Sequence, residues 1–250
     1  MPYAKTLRGP NVFLQRPQPH KDSEDLRHYN QSLPDPALHP GPKRIFLLSP
    51  ANINGVRARF LLGDNGKSDL AQRLGRSGAP LGELFTFLSG LYFRGKLAYA
   101  QTFGDAPAGM AHSLVITAGG GLIAPDAMVT LERLQEISSA NVHSSDARFT
   151  EPLIRDARML SGNTDESCQL VLLGSIATPK YVDPLLSVLG TKLVFPSEFV
   201  GRGDMSRGGL MLRCVQSRTQ LTYIPLLDAV RRGHRPPKLQ PLVKRVSTWS

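Results

Sequence analysis

Three short polar loops hold the residue types in this chain that could do chemistry. The first is Ser49-Pro-Ala-Asn52-Ile-Asn54-Gly-Val-Arg57, and the second is Gly174-Ser175-Ile-Ala-Thr-Pro-Lys180. The third runs from Pro196-Ser197-Glu198-Phe199 through Arg202, Asp204 and Arg207 to Gly209. Each follows an apolar run, so each stands where a buried strand would end. Loops at the carboxyl ends of parallel strands meet in one crevice, and ligands bind there. Asn52 and Asn54 stand in the first loop, although Asn is also a common turn former. The first loop contains no carboxylate. Glu198, Asp204 and Glu83 are the candidates to supply negative charge. Arg57, Lys180, Arg202 and Arg207 could make charge-assisted contacts to phosphate, or could lie on a solvated surface.

The elements that must position these loops follow from the apolar pattern. Strands are expected at 44–49, 113–117, 168–173 and 192–195. Helices are expected at 80–88, 91–100, 129–138, 151–160 and 179–189. In the second of these, Tyr92, Phe93, Leu97 and Tyr99 supply a core face, and Arg94 and Lys96 share the helix. Gly119-Gly120-Gly121 reads as a turn. Strands alternating with helices imply a mainly parallel sheet covered on both faces, a three-layer α/β/α fold with four central strands. A C-terminal β-hairpin is expected from 210–216 and 220–225, around Ser217-Arg218-Thr219. Residues 1–43 form a Pro-rich lead with His20, His28 and His39, and 44–230 form the α/β domain. Residues 231–250 form a basic, Pro-rich tail.

The second and third loops resemble the last two motifs of the uracil-DNA glycosylase superfamily. There a strand leads to Gly-Ser/Asn-x-Ala, matched by Gly174, Ser175 and Ala177. The next strand leads to His-Pro-Ser, a wedge residue and Arg-Gly, matched by Pro196, Ser197, Phe199 and the later Arg-Gly pairs. The family's His falls on Phe195, which cannot donate a hydrogen bond to a base. The resemblance covers about residues 44–215. It implies a DNA glycosylase that extrudes a base, a modified pyrimidine rather than plain uracil, and hydrolyses its N-glycosidic bond without metal or cofactor. It also implies roles for individual residues. Asn52 or Asn54 would position water, Ser49 and Phe195 would border the base pocket, and Phe199 would fill the gap left by the base. Ser175 and Ser197 would grip flanking phosphates. DNA repair, or defence against phage DNA carrying modified bases, would suit this chemistry.

Composition narrows the classes further. The chain has 250 residues and a net charge of +10, with pI about 9.9. Ten Lys/Arg against three Asp/Glu lie in residues 196–250. That concentration beside a third-loop site favours a polyanionic partner, and DNA is the one expected. The run Arg231, Arg232, Arg235 and Lys238 suits nonspecific contact with nucleic acid. Two cysteines support neither a disulfide framework nor a four-cysteine metal site, so a cytoplasmic protein is expected. No run reaches the ~18 apolar residues of a membrane span, and a monomer away from membranes is expected. Two other readings stand beside the glycosylase: an enzyme acting on free nucleotides or RNA bases, and a catalytically silent nucleic-acid-binding module.

Overall fold

The computed structural model describes residues 41–53, 55–62 and 68–240. In chain order the elements are β1 (Arg44–Leu48), α1 (Val56–Leu62), α2 (Asp69–Arg76), β2 (Ala79–Pro80), α3 (Leu81–Ser89) and α4 (Leu91–Phe103). These lead to β3 (Ser113–Thr117), β4 (Gly121–Ile123), β5 (Met128–Val129), α5 (Leu131–Glu136) and α6 (Ala147–Gly162). The chain continues through β6 (Gln169–Leu173), α7 (Pro179–Leu189), β7 (Leu193–Pro196), α8 (Asp204–Ser217) and β8 (Tyr223–Pro225). Asn54, the Pro-rich lead as far as residue 40 with its three histidines, and residues 241–250 lie outside the described residues.

The main sheet has six strands in the order β4-β3-β1-β6-β7-β8. The four expected strands, β3, β1, β6 and β7, form its parallel centre. Short antiparallel strands close the two edges, β4 on β3 and β8 on β7. The fold is therefore three-layer α/β/α, with a six-stranded sheet where four strands were expected. Alternation along each strand divides the core in two. Phe46, Leu48, Val115, Val171, Leu173 and Val194 face α3, α4 and α8. Ile45, Leu47, Leu114, Ile116, Leu170, Leu172 and Leu193 face α6 and α7. Strands buried on both faces read as continuous apolar runs, which is why they were legible in the sequence. Gly119 and Gly120 lie in the tight turn between β3 and β4, as their composition suggested, and Gly121 begins β4.

The expected C-terminal hairpin is not formed. Residues 210–216 belong to α8, and 223–225 pair with β7 instead, with Phe195 opposite Ile224. Arg207, Gly208, Met211 and Cys214 are the buried positions of α8, a helical stripe that the β-prone run 210–215 obscures. The partner of this stripe is α4. A Cβ on Gly95 would lie 2.7 Å from the Gly208 carbonyl oxygen, and a Cβ on Gly208 would lie 2.8 Å from the Leu91 carbonyl oxygen. Two glycines let the helix backbones touch. Strand β8 is held from the same helix: the Tyr99 hydroxyl accepts from the Leu221 amide at 2.8 Å and is 2.6 Å from the Tyr223 hydroxyl. Tyr99 also packs edge-on against Phe46, ring centroids 5.6 Å apart.

The basic tail is anchored as far as residue 240. Arg231 pairs with Asp183 at 2.9 Å, Arg202 donates to the Pro237 carbonyl at 3.5 Å, and Arg213 donates to the Gln240 carbonyl. Arg232, Arg235 and Lys238 remain exposed.

The helix contact gives a stability test. Gly208→Ala should lower the unfolding free energy by about 1–3 kcal/mol, the usual cost of overpacking, as a lower urea midpoint. Gly162→Ala should leave the midpoint nearly unchanged, because a Cβ there meets nothing within 4 Å.

Candidate functional site

The sheet order creates a topological switch point. From β1 the chain crosses to β3 on one side, and from β6 it crosses to β7 on the other. The loops leaving β1 and β6 therefore diverge and open a crevice between adjacent strands, the place where open α/β sheets bind ligands. A cavity of about 440 Å³ lies there. Ser49 to Ile53 line it from the first loop, Ser175, Lys180 and Tyr181 from the second, Phe85 and Tyr92 from α3 and α4, and Asp204 from α8.

Of the residues expected at the site, Ser49, Asn52, Ser175, Lys180 and Asp204 are brought together here. Asn52 is exposed and Lys180 half-buried. Asp204, at the start of α8, is paired with Arg207 at 3.2 Å. Arg207 itself is buried beneath the cavity. It donates to the Phe199 carbonyl at 3.1 and 3.2 Å and covers the Phe199 ring at 5.7 Å, so its charge fixes the turn before α8.

The remaining candidates have other positions. Phe195 is fully buried among residues packed on the α6–α7 face, away from the cavity. Phe199 is fully buried in the core on the α4–α8 side; a ring in that position is not presented to DNA as a wedge. Pro196 ends β7, and a 3-10 turn at Ser197–Phe199 folds the aromatic inward. Glu198 accepts from the Thr222 amide at 2.9 Å and lies 3.3 Å from Ser197 Oγ, tying this turn to the segment before β8. Arg202 donates to the Glu198 carbonyl at 2.9 Å. Glu83 is exposed and salt-bridged to Arg73. Arg57 donates to the Phe87 carbonyl at 3.2 Å, close to Gly90.

Two residues on α4 belong to the site: Tyr92, which the sequence placed with the core, and Lys96, to which it gave no role. Tyr92 lines the cavity with a buried hydroxyl that makes no hydrogen bond; the nearby Arg207 guanidinium falls outside bonding geometry. Burial holds its ionisation well above the ordinary phenol value. An unsatisfied buried donor costs roughly 1–3 kcal/mol and points to a polar partner supplied from the cavity.

Lys96 is 1% exposed, and its Nζ lies 2.6 Å from the Ser49 carbonyl oxygen and 2.9 Å from Ser49 Oγ. It also sits over the rings of Tyr92 and Phe93, at 4.3 and 4.9 Å. Burial pulls its pKa down to about 7, while the Asp204 charge opposes the fall and that of Arg207 adds to it. The Tyr181 hydroxyl stands close to Ser49. Burial raises Tyr181 to about 12. Gly174 is packed against this group: a Cβ there would meet Ser49 Cβ at 2.9 Å and the Tyr181 hydroxyl at 3.0 Å. The signal that could have found Lys96 is a lysine one turn after Tyr92 on a helix whose core face it shares.

No group of three or more His, Cys, Asp or Glu side chains is placed to hold a metal among the described residues. Among them, no helix is long and apolar enough to cross a membrane.

The depressed Lys96 has a signed consequence for stability. Its folded pKa, about 7, lies below the ordinary value of 10.5. Between these values the unfolded chain binds more protons at this site, so stability rises with pH across that window. Below pH 7 both states are protonated and the full penalty for burying the charge is present. The melting temperature of Lys96→Met minus that of the unsubstituted chain should therefore be most positive below pH 7 and fall steadily towards pH 10. A difference that does not vary with pH would show that the amine is not desolvated.

No family model matches the chain, and comparisons with curated proteins and with solved structures likewise give no match.

Proposed function

We propose that this chain is a DNA N-glycosylase, hydrolysing the bond between deoxyribose and an extruded, modified base to leave an abasic site. One observation carries this reading: at the β1–β6 boundary a cavity of about 440 Å³ is lined by Asn52, Asp204, Ser175, Lys180 and Tyr92 together. Enzymes that work on a base within DNA take it out of the stack into a pocket of this kind.

Each residue has a task that suits its place. Hydrolysis of an N-glycoside passes through a sugar with oxocarbenium character, which calls for a placed water and nearby negative potential. The Asn52 side chain would hold the water. Asp204 is the carboxylate that shares the cavity with it, and would face the developing positive charge. Its salt bridge to Arg207 reduces the net field it offers. Ser175 and Lys180, at the start of α7, would contact a flanking phosphate. Phe195 is turned away and cannot touch a base. Tyr92 Oη instead offers the unsatisfied donor, and selectivity for a base with an acceptor at that point follows. With Phe199 buried, Met205, 66% exposed and next to Asp204, is an apolar side chain at the cavity's edge that could enter the stack.

Incubation with DNAs containing uracil, hydroxymethylated cytosine, glucosylated cytosine or only ordinary bases, followed by alkali, tests this. Cleavage should be confined to a modified DNA. Asn52→Ala and Asp204→Asn should each slow it by about a hundredfold or more, and Met205→Ala should slow it more on duplex than on single-stranded substrate. DNA that is bound with a steep salt dependence but never cut, even at enzyme excess, overturns the enzymatic reading.

A further inference from the structure

We propose that Ser49 and Lys96 form a nucleophile–base pair for acyl transfer, which lets the cavity hydrolyse a carboxylic ester or amide carried by a polar, nucleoside-sized substrate. This inference does not rest on glycosylase activity. It rests on the arrangement at the end of β1, where Ser49 lines the cavity and Lys96 lies behind it.

The geometry is that of an activated serine. Lys96 Nζ is anchored by the Ser49 carbonyl at 2.6 Å and stands 2.9 Å from Ser49 Oγ. A neutral amine that donates one proton to the carbonyl has its lone pair left for the serine hydroxyl. That is the relation required of a general base towards its nucleophile. No described carboxylate forms a salt bridge with Lys96. The charged and titratable groups that face it are Asp204 and Arg207 from α8, Tyr92 on its own helix and Tyr181 from α7 through Ser49. Asp204 favours the ammonium and Arg207 the amine; burial is the largest influence and favours the amine. The Tyr181 hydroxyl also stands close to the Ser49 side chain. Gly174 supplies the room that lets Ser49 and Tyr181 meet.

The steps balance without another reagent. Ser49 Oγ bonds to the acyl carbon as its proton passes to Lys96 Nζ. The bond from that carbon to the leaving oxygen or nitrogen breaks, and the leaving group takes the proton from the Lys96 ammonium. Water then attacks the acyl carbon and gives a proton to Lys96. Ser49 Oγ departs and recovers that proton, leaving the carboxylic acid and the free enzyme.

A fluorophosphonate probe tests the pair on the full chain. Ser49 Oγ would bond to phosphorus, fluoride would leave, and Lys96 would take the proton. Peptide mass spectrometry should find the adduct on Ser49 and none at that peptide in Ser49→Ala. In the unsubstituted chain the labelling rate should climb about tenfold per pH unit and level off near pH 7, where Lys96 becomes neutral. Lys96→Met should label about a hundredfold more slowly at pH 7.5 and lose that climb. An unlabelled Ser49 in the unsubstituted chain between about pH 5.5 and 9 overturns the proposal. So does an unchanged rate and pH profile in a folded Lys96→Met. If Lys96→Met does not fold, the pH profile of the unsubstituted chain decides alone. The readout is an adduct rather than an abasic site, so its failure and that of the glycosylase reading are distinguishable.

Discussion

Helix α8 can bring Asp204 to the cavity only because Gly95 and Gly208 let it lie backbone to backbone against α4. Any side chain at either position would push the helices apart. Much of the site depends on that approach. Asp204 and Arg207 come from α8, while Tyr92 and Lys96 come from α4. The same approach buries Arg207, which then holds the Phe199 carbonyl and sets the turn that begins α8. It also keeps water from Lys96, and desolvation does the rest.

The resulting electrostatics are uneven. Lys180 lines the cavity, Lys96 is buried behind Ser49, and Asp204 is the lining carboxylate, already salt-bridged to the buried Arg207. Such a site attracts anions and tolerates one localised cation opposite Asp204. The exposed Arg232, Arg235 and Lys238 extend the basic character along a tail that is tied down by Arg231, Arg202 and Arg213. A polyanion would thus meet a fixed surface rather than a loose arm. The sheet contributes direction: diverging loops at the β1–β6 boundary leave a gap that helices do not cover.

Much of this was legible from local pattern. Strands buried on both faces must be apolar throughout, so Ile45 to Leu48 and Leu170 to Leu173 announce themselves, and the loops after them follow. Ser49, Asn52, Ser175 and Lys180 were found in this way, because position at a strand end is a one-dimensional property. Helix α8 was not legible. Its run 210–215 contains β-prone residues at positions that suit either period, and only packing against α4 selects the helix. Phe199 shows the same limit. A large aromatic in a polar loop reads as a wedge or as core, and the 3-10 turn after Pro196 sends it inward.

The sequence by itself determined the four central strands and five of the helices, the polar loops at the strand ends and the basic last 55 residues. Each is written in neighbouring residues, where period and composition act directly. Tertiary structure alone decided which charges meet. It set Lys96 against Ser49, 47 positions away, and brought Asp204 into one cavity with Asn52. It also turned Phe195 to the opposite face of the sheet. Those outcomes depend on sheet order and on the distance between two helices. Neither is encoded in any short stretch of chain.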